Sequence, residues 1–126
     1  MYKVELMQPK FNVWLEENGN VVLSSWRVQL LETIEKTGSI SAAALELDIS
    51  YRRAWEKIQE IESGLGKPVL QTMIGGAGGG GAHLTEAART AIQRFHSFTA
   101  GLQEEIQQRY QTAFESATAE NPKREL

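Results

Sequence analysis

Between Gly38 and Thr85 two short helical patterns, joined by a tight turn, run straight into two short strand patterns around a glycine-packed tip, Gly75-Gly76-Ala77-Gly78-Gly79-Gly80-Gly81. Ser39 and Ser41 precede Ala42-Ala43-Ala44-Leu45-Glu46-Leu47, a two-turn helix whose alanines let another helix approach closely. Asp48-Ile49-Ser50 leaves only a few residues for the turn, with Ser50 as the N-cap of the next helix and Ile49 as a hydrophobic staple. That third helix spans about Tyr51 to Ser63. Ala54, Trp55, Ile58, Ile61 and Leu65 share one side at helical spacing, and Gly64 and Gly66 mark its end. Pro68 to Met73 then reads as a strand, the glycine run as a hairpin tip, and Ala82-His83-Leu84 as the returning strand. Helix pairs and glycine runs are each common alone. In this order and at this spacing they specify a winged helix-turn-helix.

The flanks extend the pattern. Phe11, Val13 and Leu15, the Asn18-Gly19 turn and Val21-Val22-Leu23 form a β-hairpin. Ser24 or Ser25 caps a first helix over about Trp26 to Thr37, in which Val28, Leu30, Leu31 and Ile34 recur before Gly38 stops it. Beyond the wing, Thr85 caps a helical pattern of Ala88, Ile92, Phe95, Leu102, Ile106, Tyr110 and Ala113 or Phe114, lasting to about Ala117. An unbroken helix of that length runs ~48 Å, against a radius of gyration near ~14 Å for a compact chain of this size. Part of it must overhang, and pairing with the same helix of a second subunit would cover its apolar stripe. Ile92, Phe95, Leu102, Ile106 and Tyr110 are the expected dimer interface. The expected fold class is mainly α with small β: a winged helix-turn-helix followed by a long C-terminal dimerisation helix. Its divisions are 1–85 for hairpin plus winged helix, 86–117 for the long helix and 118–126 for a disordered tail containing Pro122.

Composition removes other classes. At 126 residues and 41% hydrophobic the chain suits one globular domain. No apolar run approaches the ~20 residues that span a bilayer, and Met1-Tyr2-Lys3-Val4-Glu5 is unlike a signal peptide, so a cytoplasmic location without membrane contact is expected. With no cysteine, and His83 and His96 in different elements, neither a metal nor a cofactor site is expected. No Gly-x-Ser-x-Gly or other nucleophile setting occurs, and the glycine run lacks the Gly-Lys-Ser/Thr of a phosphate-binding loop, so the chain does not read as an enzyme.

The net charge of −3 opposes a nucleic-acid role, and Arg27 to Lys67 holds six Lys/Arg against seven Asp/Glu. Placement answers this. Arg52 and Arg53 lie in the first turn of helix three, where each cation opposes the macrodipole by ~0.3–1 kcal/mol, so helix stability does not select them. In a helix-turn-helix this turn enters the major groove, where arginine binds guanine O6 and N7. The alternative is a solvated pair between Arg52 and Glu56. With Trp55, Ile58 and Leu65 taken as buried, the opposite face carries Arg52, Arg53, Glu56, Gln59 and Glu60. Glu56 could accept from a cytosine amino group, with Glu60 leaving the groove; otherwise both acids repel phosphate and the face serves a protein partner. Tyr51 sits at the boundary, to contact phosphate or to pack. The tip offers backbone amides, at Gly76, Gly78 and Gly79, to a phosphate or the minor groove, since Pro68 to Thr85 contains no charged side chain.

Gly38-Ser39-Ile40-Ser41-Ala42-Ala43-Ala44, Ile49-Ser50-Tyr51-Arg52 with Ala54-Trp55, and the glycine tip with Leu84-Thr85 resemble the N-terminal winged-helix domain of the ModE molybdate-responsive regulators, a branch similar to the LysR type. The resemblance covers about residues 20 to 115. It implies a homodimeric transcription factor on double-stranded DNA, with helix three in the major groove, the wing near the flanking backbone and the long helix as dimer linker. Arg52 and Arg53 would read bases at two half-sites ~34 Å apart, and Ser39, Ser50 and Tyr51 would hold phosphates. Where ModE-type chains carry an arginine before the tip and a basic residue inside it, this sequence has Thr72 and Ala77. No Ser-Ala-Arg-Asn stretch of the molybdate-binding domains occurs in these residues, so a link to molybdenum rests on resemblance alone and a separate effector-binding protein is conceivable. The alternative reading is a winged-helix dimer binding a protein or a small oxyanion without sequence-specific DNA contact.

Overall fold

The computed structural model describes residues 7–73 and 81–116, with side chains to Phe114. The chain divides into two compact units: Val13–Ser97, and a second that includes residues 7–12 and 98–116.

The first unit opens with β1 (Trp14–Glu17) and β2 (Asn20–Ser24). Asn18 and Gly19 both take positive φ, 53° and 82°, which suits a two-residue hairpin turn whose twist matches the strands. Their register pairs Leu15 with Leu23 and Glu17 with Asn20, with a bulge between Leu15 and Glu16. β1 is exposed, whereas Val22 and Leu23 of β2 are buried.

α1 (Ser25–Thr37) is capped by Ser24, whose Oγ accepts from the Arg27 N–H at 3.1 Å. It ends where Gly38, at φ 88°, donates its N–H to the Ile34 carbonyl. α2 (Ile40–Glu46) is capped by Ser39, and α3 (Tyr51–Leu65) by Ser50, whose Oγ accepts from the Arg53 N–H at 3.0 Å. Between them Asp48 takes φ 57°, while the Asp48 and Ile49 amides bond back to Leu45 and Ala44. Ile49 packs against the core, as a staple should. The α-helical core joins Val28, Leu30, Leu31 and Ile34 of α1, Ala43 and Ala44 of α2, and Ala54, Ile58 and Ile61 of α3.

Two expectations for α3 change. The helix runs on to Leu65, so Gly64 lies inside it and Gly66 alone supplies the left-handed stop. A Cβ on Gly64 would come within 2.6 Å of a Val22 methyl, and this close approach docks the hairpin on α3. Trp55, expected in the core, is 46% exposed. The buried stripe narrows to Ala54, Ile58 and Ile61, and the indole falls on its edge.

β3 (Leu70–Met73) and β4 (Gly81–Leu84) pair antiparallel, Leu70 with Leu84 and Met73 with Gly81. Hydrogen bonds pin this wing at its base. Ala82 N–H donates to the Gly38 carbonyl at 2.9 Å, Leu84 N–H to Glu35 Oε1 at 2.9 Å and Val69 N–H to Glu62 Oε2 at 2.8 Å. Arg89 of α4 (Glu86–Thr99) closes on the second Glu35 oxygen at 2.8 Å. The Leu84 amide and the Arg89 guanidinium hold the Glu35 carboxyl below the usual glutamate range.

The helical stretch after the wing begins at its expected cap, with Thr85 Oγ1 accepting from Ala88 N–H at 3.1 Å. It is not one continuous helix. Gly101 takes φ 82° and α5 (Leu102–Gln111) starts after it, followed by a π-helical turn over Thr112–Ser116. Ile92 and Phe95, expected at a dimer interface, are 8% and 3% exposed and belong to the core of Val13–Ser97. Leu102, Ile106 and Tyr110, one helical turn apart along α5, are half-buried. The expected disordered tail lies outside the described residues.

Candidate nucleic-acid interface

Local hydrogen bonds set the start of α3. Ser50 occupies the cap, so Tyr51, Arg52 and Arg53 leave the first turn in three directions about 100° apart. Arg52 points outward with 87% of its side chain exposed and meets Glu56, one turn on, at 3.3 Å. The paired geometry weighed from the sequence is thus present, but it is an exposed ion pair of the kind worth ~0–1 kcal/mol, and it leaves the remaining guanidinium donors available.

Arg53 turns to another flank. With Lys57, one turn further on, it lines a surface recess of about 450 Å³ completed by Trp14 and Val21 of the hairpin, Ser24, and Trp26 and Arg27 of α1. Arg27 is 8% exposed. One of its nitrogens donates to Glu60 at 2.6 Å, while Nη1 is closed off from solvent without an acceptor among the described residues. Glu60 also meets Lys57 at 3.5 Å. Partial burial works to raise the Glu60 pKa, but the Arg27 hydrogen bond and the charges of Lys57 and Arg27 outweigh it and bring the pKa down. Glu60 is therefore ionised at neutral pH and braces α3 against α1.

Most of the acids that counted against nucleic-acid binding have partners within the protein, though their side chains stay about a third to a half exposed. Glu60 pairs with Arg27, Glu62 accepts from the Val69 amide, Glu35 holds Leu84 and Arg89, Glu46 meets Lys36 at 2.6 Å and Glu32 meets His96 at 2.9 Å. On the outward face of α3, Glu56 is left beside Arg52.

The other flank of α3 is aromatic. Tyr51 and Trp55 are both about half exposed and share that flank, by helical spacing, with Glu62, which accepts from the Val69 amide just before β3. Sequence periodicity missed Trp55 as a surface residue, because an indole at that spacing reads as core. The Ser39 and Ser50 hydroxyl oxygens are used as cap acceptors, from Ala42 and Arg53 N–H, leaving each hydroxyl proton to donate outward. Gly76, Gly78 and Gly79 lie outside the described residues. Among the described residues no cluster of His, Asp and Glu could hold a metal ion, and no helix is long and apolar enough to cross a membrane.

A capped helix pair at a tight turn, with an antiparallel wing fixed to the end of α1, defines a winged helix-turn-helix protein of the DNA-binding class. Residues 26–89 match the family of bacterial regulatory helix-turn-helix proteins of lysR type, and the chain belongs to that family. Curated relatives include the molybdenum-pterin-binding protein MopB of Rhodobacter capsulatus, 42% identical over 71% of this chain and 33% of its own length. The transcriptional regulator ModE of Yersinia pestis is 35% identical over 71% of this chain and 34% of its own, and the molybdenum transport protein ModE of Azotobacter vinelandii is 34% identical over 66% and 31%. The chain therefore spans about a third of the length of these relatives.

Proposed function

We propose that this chain is the DNA-binding module of a homodimeric transcriptional regulator whose target genes serve molybdenum metabolism. The observation that carries the reading is the division of charge on α3: Arg52 and Arg53 are exposed in its first turn, Arg52 beside Glu56, while Glu60 and Glu62 are bound to neighbouring elements. A helix in the major groove presents its outward first turn to base edges, which makes Arg52 the base-reading residue. Ser39, Ser50 and Tyr51 would hold phosphates beside it. The relatives named for molybdenum transport, molybdenum-pterin binding and ModE regulation support the metabolic assignment. Dimer formation would use Leu102, Ile106 and Tyr110 and set two half-sites about 34 Å apart. Such a protein works in the cytoplasm, where its DNA is.

Selection of sites from a random duplex pool tests this. A two-part motif should emerge, and Arg52→Ala should relax preference at one position per half-site by about 1–3 kcal/mol. No enriched motif, or a shallow dependence of affinity on salt, would overturn it and favour the reading as a protein-binding or oxyanion-binding module.

A further inference from the structure

The recess between the hairpin and α3 has no part in base reading, yet it gathers cations. Arg27, Arg53 and Lys57 line it together with the indoles of Trp14 and Trp26, and no carboxylate lines it. Glu60, outside the lining, offsets one charge, and Arg27 Nη1 is buried beneath the surface without an acceptor among the described residues. The site is half built from outside the family match, which begins at residue 26, because Trp14 comes from the hairpin.

Geometry says what such a recess meets. An α-helix is about 10–12 Å across with side chains and the major groove about 12 Å wide, so a helix seated there brings both flanks against the two phosphate backbones. One flank of α3 carries Tyr51 and Trp55 toward the wing; the other carries Arg53 and Lys57. We infer that the recess seats a DNA backbone phosphate, so that Arg52 and Arg53, adjacent in sequence, divide into a base reader and a phosphate holder, and the N-terminal hairpin is a third DNA-contacting element besides α3 and the wing. The indole walls lower the local dielectric and strengthen the attraction of Arg53 and Lys57 for a phosphodiester. Trp14 itself is not the donor, since its Nε1–H is committed to Glu16 at 2.6 Å.

The inference rests on the DNA-binding reading, and one set of titrations separates the two. With a selected duplex and a scrambled one, Arg53→Gln and Lys57→Gln should each weaken both by the same factor, leaving their ratio unchanged. The double variant should lower the slope of log affinity against log salt by about 0.9, the value for one phosphate. Lys57→Arg should restore the lost binding, and a single neutral methylphosphonate at the matching position should weaken the wild type but not the double variant. Circular dichroism melts check that the variants fold. A changed base preference in Arg53→Gln would make Arg53 a base reader and overturn the inference, as would an unchanged salt slope in the double variant. If inorganic phosphate raises the melting temperature of the wild type but not of the double variant, with the DNA slope unaltered, the recess is a small-anion site instead. A wild type that binds neither duplex with a salt-dependent slope brings down both readings.

Discussion

Glu35 concentrates more of the fold's connections than any residue a motif would single out. One carboxylate oxygen takes the Leu84 amide of β4 and the other the Arg89 guanidinium of α4, so α1, the wing and the following helix meet at one charge. Its pKa lies below the usual glutamate value because these donors favour the ionised form. The sign follows. A depressed native pKa means a contribution present in full above the unfolded value, about 4.3, and lost as pH falls through the lower native value. Glu35→Gln should therefore lower the urea midpoint at pH 7, and the gap to the wild type should close below about pH 4. A gap that persists there would place the cost in lost hydrogen bonding and not in charge. Glu60 is depressed in the same direction by Arg27 and Lys57 against partial burial, so acid should loosen the α1–α3 brace in the same range.

At the scale of elements, the fold depends on close approaches at which a side chain would intrude. Gly64 meets Val22 across the α3–β2 contact. Alanine there gains about 1 kcal/mol in helix propensity, but its Cβ would lie 2.6 Å from a Val22 methyl on a stiff β-branched side chain. Overpacking of this kind costs about 1–3 kcal/mol, so Gly64→Ala should be net destabilising in denaturant melts. Pairing it with Val22→Ala should recover part of the loss; two purely additive penalties would show that the contact is not the cause. The hairpin thus needs a glycine in the last turn of α3. Chain-local reasoning assigned that glycine to the helix end, since a Gly-x-Gly spacing looks like a stop signal. Trp55 differs for a related reason: apolar periodicity defines a stripe but not its width, and the indole is 46% exposed at its edge.

At the scale of the whole molecule, Ile92 and Phe95 are spent on the core of Val13–Ser97, and the helical stretch is broken before α5, where Gly101 takes a positive φ. The proposed dimer contact then falls to α5, where Leu102 and Ile106 are half-buried. Leu102→Asp with Ile106→Asp should yield a monomer by sedimentation, keep the far-ultraviolet spectrum of the winged helix, and weaken binding to a two-half-site operator far more than to a single half-site. A variant that stays dimeric would move the interface elsewhere. Gly101 itself could be read from sequence as a breaker, but periodicity on both sides of it agreed with one long helix, and only the backbone conformation decided between them.

The sequence by itself determined the order of elements, the caps at Ser50 and Thr85, the αL stop at Gly38 and the place of the wing along the chain, while the choice of Ser24 over Ser25 came from the structure. The features legible in sequence are settled by hydrogen bonds and dihedral preferences within a few residues. The tertiary structure alone decided which charges on α3 are free and which are bound. Glu60 meets Arg27 across 33 residues and Glu35 meets Leu84 across 49, and such partners are chosen by how helices pack, not by local spacing. A count of acids and bases along the chain does not show that Glu35 and Glu60 are engaged by donors from other elements, whereas Arg52 and Arg53 stay exposed on α3.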